Sequence, residues 1–159
     1  MTIVELVRLF AEPLGIAVVV TDCDLERPGP VILYANPAFA RMSGYATSEV
    51  LGGSPRRLQG EGTNRQVTRL VSRSLRADRR FHGVLENYRK GGEPYLCEID
   101  VRPICGGDGL PLAFIAFERE VVRRRGRPSQ AGAGRYRPLA EADLPAFVRQ
   151  GEPALFTYV

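Results

Sequence analysis

Apolar positions at the start of the chain follow the period of an amphipathic helix. Between residues 3 and 10 they recur at i, i+3, i+4 and i+7, and Pro13 and Gly15 follow this stripe. Proline cannot continue a helix, and glycine favours its end. We therefore predict an N-terminal helical cap over residues 1–15.

Two short apolar runs then indicate strands. Ala17–Thr21 is rich in β-branched residues, and Val31–Ala35 follows it after a loop that contains proline and glycine. Asn36 and Pro37 predict the start of a helix that runs to Ser43, because proline suits the first helical position. A further helix is predicted from the capping sequence at residues 63–66 to about residue 77.

The second half of the chain changes to an alternating pattern. Phe81–Arg89, Pro94–Cys105 and Leu112–Glu120 are predicted strands, joined by glycine-rich hairpin turns. The order of elements predicts an α+β core over residues 16–121. It consists of a five-stranded antiparallel sheet with helices on one face.

Basic residues are concentrated after this core. Six arginines lie between residues 121 and 138, where there is no acid, and without them the net charge changes from +4 to −2. We interpret residues 122–138 as a solvated, flexible linker and residues 139–159 as a C-terminal helix-strand extension. A nucleic-acid or partner adaptor acting through the arginine-rich tail is the alternative.

Composition excludes several classes of function. The three cysteines include no C-x-x-C pair, and the single histidine, His82, argues against metal sites and Ser-His-Asp triads. No apolar run reaches the roughly 20 residues of a membrane helix, and no leader precedes a cleavage site. We therefore expect a cytoplasmic protein that does not contact a membrane and is not an enzyme.

Several motifs together resemble a known family. Residues 34–39, 43–45 and 49–52 resemble a PAS domain, and the segments 56–60 and 87–90 are similar to the LOV (light-oxygen-voltage) subgroup of flavin-binding blue-light sensors. The resemblance covers about residues 16–121. It implies a PAS fold and a role in sensory signalling.

The resemblance also implies a flavin site for FMN or FAD. Its candidate cofactor-binding residues are Asn87, Gln59, Arg56, Cys97 and Glu118. Strand alternation independently places Glu118 on the same face as Phe114 and Ala116, and predicts that Asn87 and Cys97 face the same apolar space. A few polar groups in an apolar cavity are typical of a small-ligand site.

One position departs from the resemblance. Pro55 stands where the LOV pattern has its photoactive cysteine, so the formation of a cysteinyl-flavin adduct is not expected there. The charged Arg57 in place of a phenylalanine favours a sensory domain that has lost flavin and signals through protein contacts. The retained Asn87, Gln59 and Arg56 favour flavin binding, with Glu118 near flavin N5 as proton donor.

Glu118 itself has two interpretations. It either faces a ligand or lies at a strand end, where it pairs with Arg119 or Arg56. A buried carboxylate without a partner is costly, or else becomes protonated, so the two interpretations predict different chemistry.

The other face of the predicted last strand is apolar at Ala113, Ile115 and Phe117 and requires a cover. The N-terminal stripe with Leu6 and Phe10, the C-terminal segment and a second copy of the chain are the candidates. The resemblance implies a homodimer through this sheet face and the N-terminal helix, and an unidentified signalling protein in trans. The predicted interface residues are thus Ile115, Phe117, Leu6 and Phe10.

Overall fold

An antiparallel sheet organises the computed structural model, which describes residues 1–77, 79–126 and 135–140. The helices are α1 (Ile3–Ala11), α2 (Pro37–Ser43), α3 (Thr47–Val50) and α4 (Arg65–Arg76), with a 3₁₀ turn at Pro55–Leu58. The strands are β1 (Ala17–Thr21), β2 (Ile32–Ala35), β3 (Phe81–Tyr88), β4 (Pro94–Cys105), β5 (Pro111–Arg123) and β6 (Tyr136–Pro138). The predicted α+β class is confirmed.

The strand order is β2-β1-β5-β4-β3, and β6 also pairs with β5. Strand β5 therefore lies at the centre of the sheet, between β1 and β4. Strand β1 pairs with residues 114–118 of β5, while β6 pairs with residues 121–123. The central position of β5 gives it contact with both faces of the core.

The sheet has a sixth strand in addition to the five predicted ones, and this strand lies within the residues interpreted as a linker. Regular structure does not stop at residue 121, because β5 continues to Arg123 and Tyr136–Pro138 pairs with its end. Strand β1 is too short to cover this part of the β5 edge, so β6 supplies partners for its backbone groups. Residues 127–134, and residues 141–159 of the predicted extension, lie outside the described residues.

The helices lie on both faces of the sheet. Helix α1 packs its buried Val7 and Ala11 in one cluster with Ile115 and Phe117 of β5. The elements between β2 and β3 cover the opposite face, where Phe39 of α2 and Leu75 of α4 are buried. We refer to the α1 side as the outer face and the other side as the inner face.

Asn36 connects four separate segments of the chain. Its Oδ1 accepts hydrogen bonds from the backbone N–H of Val18 (2.9 Å) and of Phe39 (3.1 Å). Its Nδ2 donates to the carbonyl oxygens of Ala11 and Ile16, both at 2.9 Å. The side chain is fully buried, so it caps α2 and fixes the end of α1 against β1.

Helix α4 is capped one residue later than the sequence predicted. Asn64, not Thr63, caps α4, since its side chain accepts from the N–H of Gln66 at 2.8 Å. The Thr63 hydroxyl instead donates to the carbonyl of Glu86 and accepts from the N–H of Gly60. Thr63 therefore joins the start of α4 to β3.

In the described parts of the chain, every helix is too short or too polar to cross a membrane. The same residues contain no group of three or more His, Cys, Asp or Glu side chains placed to hold a metal ion.

Replacing Asn36 by alanine should destabilise the fold by about 3–5 kcal/mol, because four buried backbone groups each lose a hydrogen bond. Asn64→Ala is the matched control, since it removes an exposed N-cap at a cost of about 1 kcal/mol. Urea unfolding of both variants measures the difference. Equal losses for the two variants would show that the buried connections of Asn36 contribute little.

Candidate ligand-binding site

A cavity lies between the inner face of the sheet and α4. Its volume is about 130 Å³. Its walls are mostly apolar: Val19, Leu25, Leu58, Val71, Leu75, Leu85, Ile99, Val101, Phe114 and Ala116. Its polar lining includes Asn87 from β3, Glu118 from β5 and Gln59 from the end of the 3₁₀ turn. This composition is that of a small-ligand site.

Two amide side chains face this ligand cavity. Asn87 is buried beside the Tyr95 hydroxyl, and burial is the main reason why the pKa of Tyr95 is raised. Among the described residues the Gln59 side chain makes no hydrogen bond. Both amides can therefore direct donors and acceptors into the cavity, and their contact with a ligand stays a prediction.

Glu118 is the carboxyl group of the cavity. Its side chain is buried, and burial raises its pKa from 4.5 to about 7, while a hydrogen bond from the Cys97 thiol lowers it. The predicted partners are occupied elsewhere. Arg119 donates to Glu98 at 2.8 Å, and Arg56 donates to backbone carbonyls. Glu118 can therefore exchange a proton near neutral pH, and no cationic side chain among the described residues pairs with it.

Cys97 is close to the site but does not line it. Its Sγ lies 3.7 Å from Oε2 of Glu118, and burial raises the pKa of the thiol well above its ordinary value. The expected contact of Cys97 with a cofactor stays a prediction; in the structure its thiol donates a hydrogen bond to Glu118.

The 3₁₀ turn presents Pro55 and Arg56 to the cavity but directs Arg57 elsewhere. The Arg57 guanidinium donates to the carbonyl of Glu49 at 2.7 Å and stacks 5.0 Å from the centre of the Tyr45 ring. The expectation that Arg57 disfavours a ligand is therefore not supported. No cysteine is among the described residues that line the cavity.

Arg56 lies where the cavity opens toward the surface. Its Nε donates to the carbonyl of Gly29 at 2.7 Å and its Nη2 to that of Leu25 at 2.9 Å. These bonds hold the guanidinium in place at the exit. A second, more open space begins there and is lined by further arginines.

The predicted interface residues separate into two groups. Ile115 and Phe117 are buried under α1, and Phe10 packs against the same cluster, so α1 of the same chain is a cover for this sheet face. Leu6 is 54% exposed and Leu9 is 70% exposed on the other side of α1. The predicted contact of Ile115 and Phe117 with a second chain stays a prediction, while α1 of the same chain lies over both residues.

The outer face also carries a cluster of charges that sequence reasoning did not identify as buried. Glu98 and Asp100 are 0% exposed. Glu98 pairs with Arg119 and His82, at 2.8 and 2.7 Å. Asp100 pairs with Arg80 and Arg102, at 2.5 and 3.1 Å. The cross-strand positions of opposite charges were the available signal, since Glu98 lies opposite Arg119 and Asp100 opposite His82.

Comparison with known proteins identifies the family of this chain. The PAS domain profile matches residues 13–122, so the chain belongs to the PAS domain family. Its relatives place it in the LOV subfamily. It is 36% identical over 100 residues to phototropin-1A of Oryza sativa subsp. japonica, covering 63% of this chain and 11% of that protein. It is 31% identical over 139 residues to a blue-light-activated histidine kinase of Rhizobium johnstonii, covering 87% and 39%.

A solved structure supports the same assignment. A light-oxygen-voltage domain described with a flavin analogue matches with a TM-score of 0.64 and 27% identity, over 77% of this chain and 86% of that one. The chain spans less than two-fifths of the length of the curated relatives named above. The shared part is the sensory domain.

The free energy of unfolding should depend on pH through the titration of Glu118. Burial raises the folded-state pKa from 4.5 to about 7, so the folded chain binds this proton more tightly than the unfolded chain. The contribution of Glu118 to the free energy of unfolding is fully present below pH 4.5 and is lost as the pH rises through about 7. The loss is on the order of 3 kcal/mol.

Glu118→Gln should remove this dependence. Relative to the variant, the wild-type chain should lose unfolding free energy between pH 5 and pH 8, as measured by denaturant titration without added ligand. Glu61→Gln, at an exposed position, is the control and should keep the wild-type profile. Parallel profiles for wild type and Glu118→Gln would contradict the buried, protonated carboxyl group.

Proposed function

We propose that this chain is a sensory LOV-type module that binds a flavin nucleotide and signals without a cysteinyl-flavin adduct. One observation carries the proposal: an apolar cavity presents Asn87, Gln59 and Glu118 to its interior and has Pro55, not a thiol, in its wall. The names of the relatives, phototropin and blue-light-activated histidine kinase, support the same class of function.

The residues present fit a flavin. Its flat aromatic ring suits the apolar walls formed by β3–β5 and α4, and its polar edge suits the two amides. Arg56, fixed at the exit by two backbone carbonyls, suits the negatively charged end of a flavin nucleotide. Arg57 leaves the cavity free, which removes the main sequence argument against binding.

A bound flavin would supply absorption of blue light and acceptance of electrons. The protein's contribution is to exclude water, orient the ring and control a proton. Glu118 holds a proton on its carboxyl group through neutral pH, because burial raises its pKa to about 7. A group with this pKa can donate or accept the proton without a large free-energy cost.

Glu118 also links the cavity to the outer face. It lies on β5, the strand whose adjacent Phe117 packs under α1. A changed hydrogen bond at Glu118 would therefore alter the strand on which α1 rests. We infer that α1 transmits the signal by protein contact, through a homodimer and an unidentified partner in trans, using its exposed Leu6 and Leu9.

Absorbance spectra of the purified full chain before and after blue light test the function. The expected result is the structured blue absorption band of bound flavin, without the lasting bleaching of a thiol adduct. Pro55→Cys should gain reversible bleaching, because it places a thiol in the cavity wall; Pro55→Ser is the control without a thiol. A colourless chain that binds none of the added flavins would refute the proposal.

Light-scattering mass measurement tests the role of α1. The wild-type chain should be dimeric, and Leu6→Glu with Leu9→Glu should convert it to a monomer with unchanged absorbance, because both side chains are exposed and leave the core intact. Arg8→Glu, on the same helix, serves as a charge control. A monomeric wild-type chain, or a dimer unaffected by both leucine substitutions, would contradict this role.

A further inference from the structure

The exposed face of α4 carries a row of arginines that the proposed function does not use. Arg65, Arg69, Arg73 and Arg76 follow one another at spacings of four, four and three residues, and all four are exposed. Side chains at these spacings lie on one face of a helix, and four residues correspond to about 6 Å along its axis. Helix α4 contains no acidic residue. We call this row the arginine stripe.

Most of the positive charge on the arginine stripe is not neutralised by the protein. The guanidinium groups of Arg65, Arg69 and Arg73 make no hydrogen bond or ion pair with a described residue. Arg76 pairs with Glu26 at 3.0 Å, but the two side chains are 50% and 77% exposed, and exposed ion pairs are weak. Like charges three or four residues apart destabilise a helix. An anion bound along the stripe would remove this repulsion.

The surface beside the arginine stripe is concave. Arg69, Arg73 and Arg76 line a shallow, open groove of about 460 Å³ together with Ser72 and Ala77, and no carboxylate is among its described lining residues. The three arginines span about 10 Å of the helix. A single small anion would contact only part of this row, whereas a polymer with regularly repeated negative charges can contact all of it.

We propose that the arginine stripe binds the phosphate backbone of a nucleic-acid duplex without reading its base sequence. A duplex presents continuous rows of phosphates, and arginine binds phosphate through charge-assisted hydrogen bonds. Helix α4 has no aromatic residue, and aromatic side chains are the groups on which proteins stack the bases of single strands. Contacts with phosphates alone carry no sequence information. This inference is independent of the ligand that the cavity holds.

The apolar side of α4 is not available to a lipid surface. Leu75 is buried, and Val67 and Val71 pack against the same core cluster. Leu70 is the one large apolar side chain of this helix that is exposed. Helices that lie on membranes insert an apolar face among the lipids, and α4 directs that face into its own core. A nucleic acid, which requires only the charges, therefore fits the stripe better than a membrane does.

Fluorescence anisotropy of short labelled duplexes tests this inference, with the purified full chain titrated at several salt concentrations. We expect binding of duplex DNA or duplex RNA with little dependence on base sequence, and the tighter of the two identifies the source of the phosphates. Arg69→Gln with Arg73→Gln should weaken binding about ten-fold. It should also reduce the slope of log Kd against log salt by about 2, because each phosphate contact contributes about 0.9 to that slope.

Arg123→Gln with Arg125→Gln is the matched control. It removes the same charge from exposed positions in the arginine-rich stretch after the core, and it should keep the wild-type slope. Thermal unfolding shows whether the α4 double variant keeps its fold. Glutamine favours helix nearly as well as arginine and relieves the repulsion along α4, so the variant should unfold at the same temperature as wild type or higher.

Several outcomes would overturn the assignment. A chain that binds neither duplex at low salt would do so, and so would an α4 double variant with wild-type affinity and slope. A loss confined to the control variant would place the site on the arginine-rich stretch. Tighter binding of single strands, or binding only to vesicles that contain phosphatidylserine, would replace the duplex by another polyanion. Each of these results leaves the proposed flavin function standing.

Discussion

The four hydrogen bonds of Asn36 set the geometry on which the other features depend. One buried amide joins the end of α1, the approach to β1, the first residues of β1 and the first turn of α2. These segments belong to opposite faces of the sheet. A single side chain therefore fixes α1 on the outer face and α2 on the inner face. The position of α2 in turn sets one boundary of the space between the inner face and its helices.

The buried acidic side chains on the two faces of the sheet differ in whether they are paired with cations. On the outer face, Glu98 and Asp100 are buried but paired with arginines and His82. On the inner face, Glu118 is buried, its one hydrogen-bond donor among the described residues is the Cys97 thiol, and burial raises its pKa. Paired charges secure the sheet, while the unpaired carboxyl group remains able to exchange a proton.

The arrangement of β5 relates the cavity to the rest of the chain. Its inner residues Phe114, Ala116 and Glu118 line the cavity, and its outer residues Ile115 and Phe117 support α1. Its edge continues past β1 and pairs with β6. A displacement of this strand would therefore change its contacts with the ligand cavity, with α1 and with β6 at the same time.

Local patterns were sufficient for the elements and for part of the site. The β-branched run of β1, the proline at the start of α2 and the alternation of β3–β5 predicted the strands, the first core helix and the inward direction of Asn87 and Glu118, because these features depend on neighbouring residues. Tertiary structure decided what depends on distant ones. It brought the Cys97 thiol to Glu118, turned Arg57 toward Tyr45, packed α1 over Ile115 and Phe117, and brought Arg27, Arg56, Arg65 and Arg69 to one cleft. The direction of a side chain in a loop depends on tertiary packing, and so does the grouping of charges from separate elements. A repeating pattern of neighbouring residues does not contain this information.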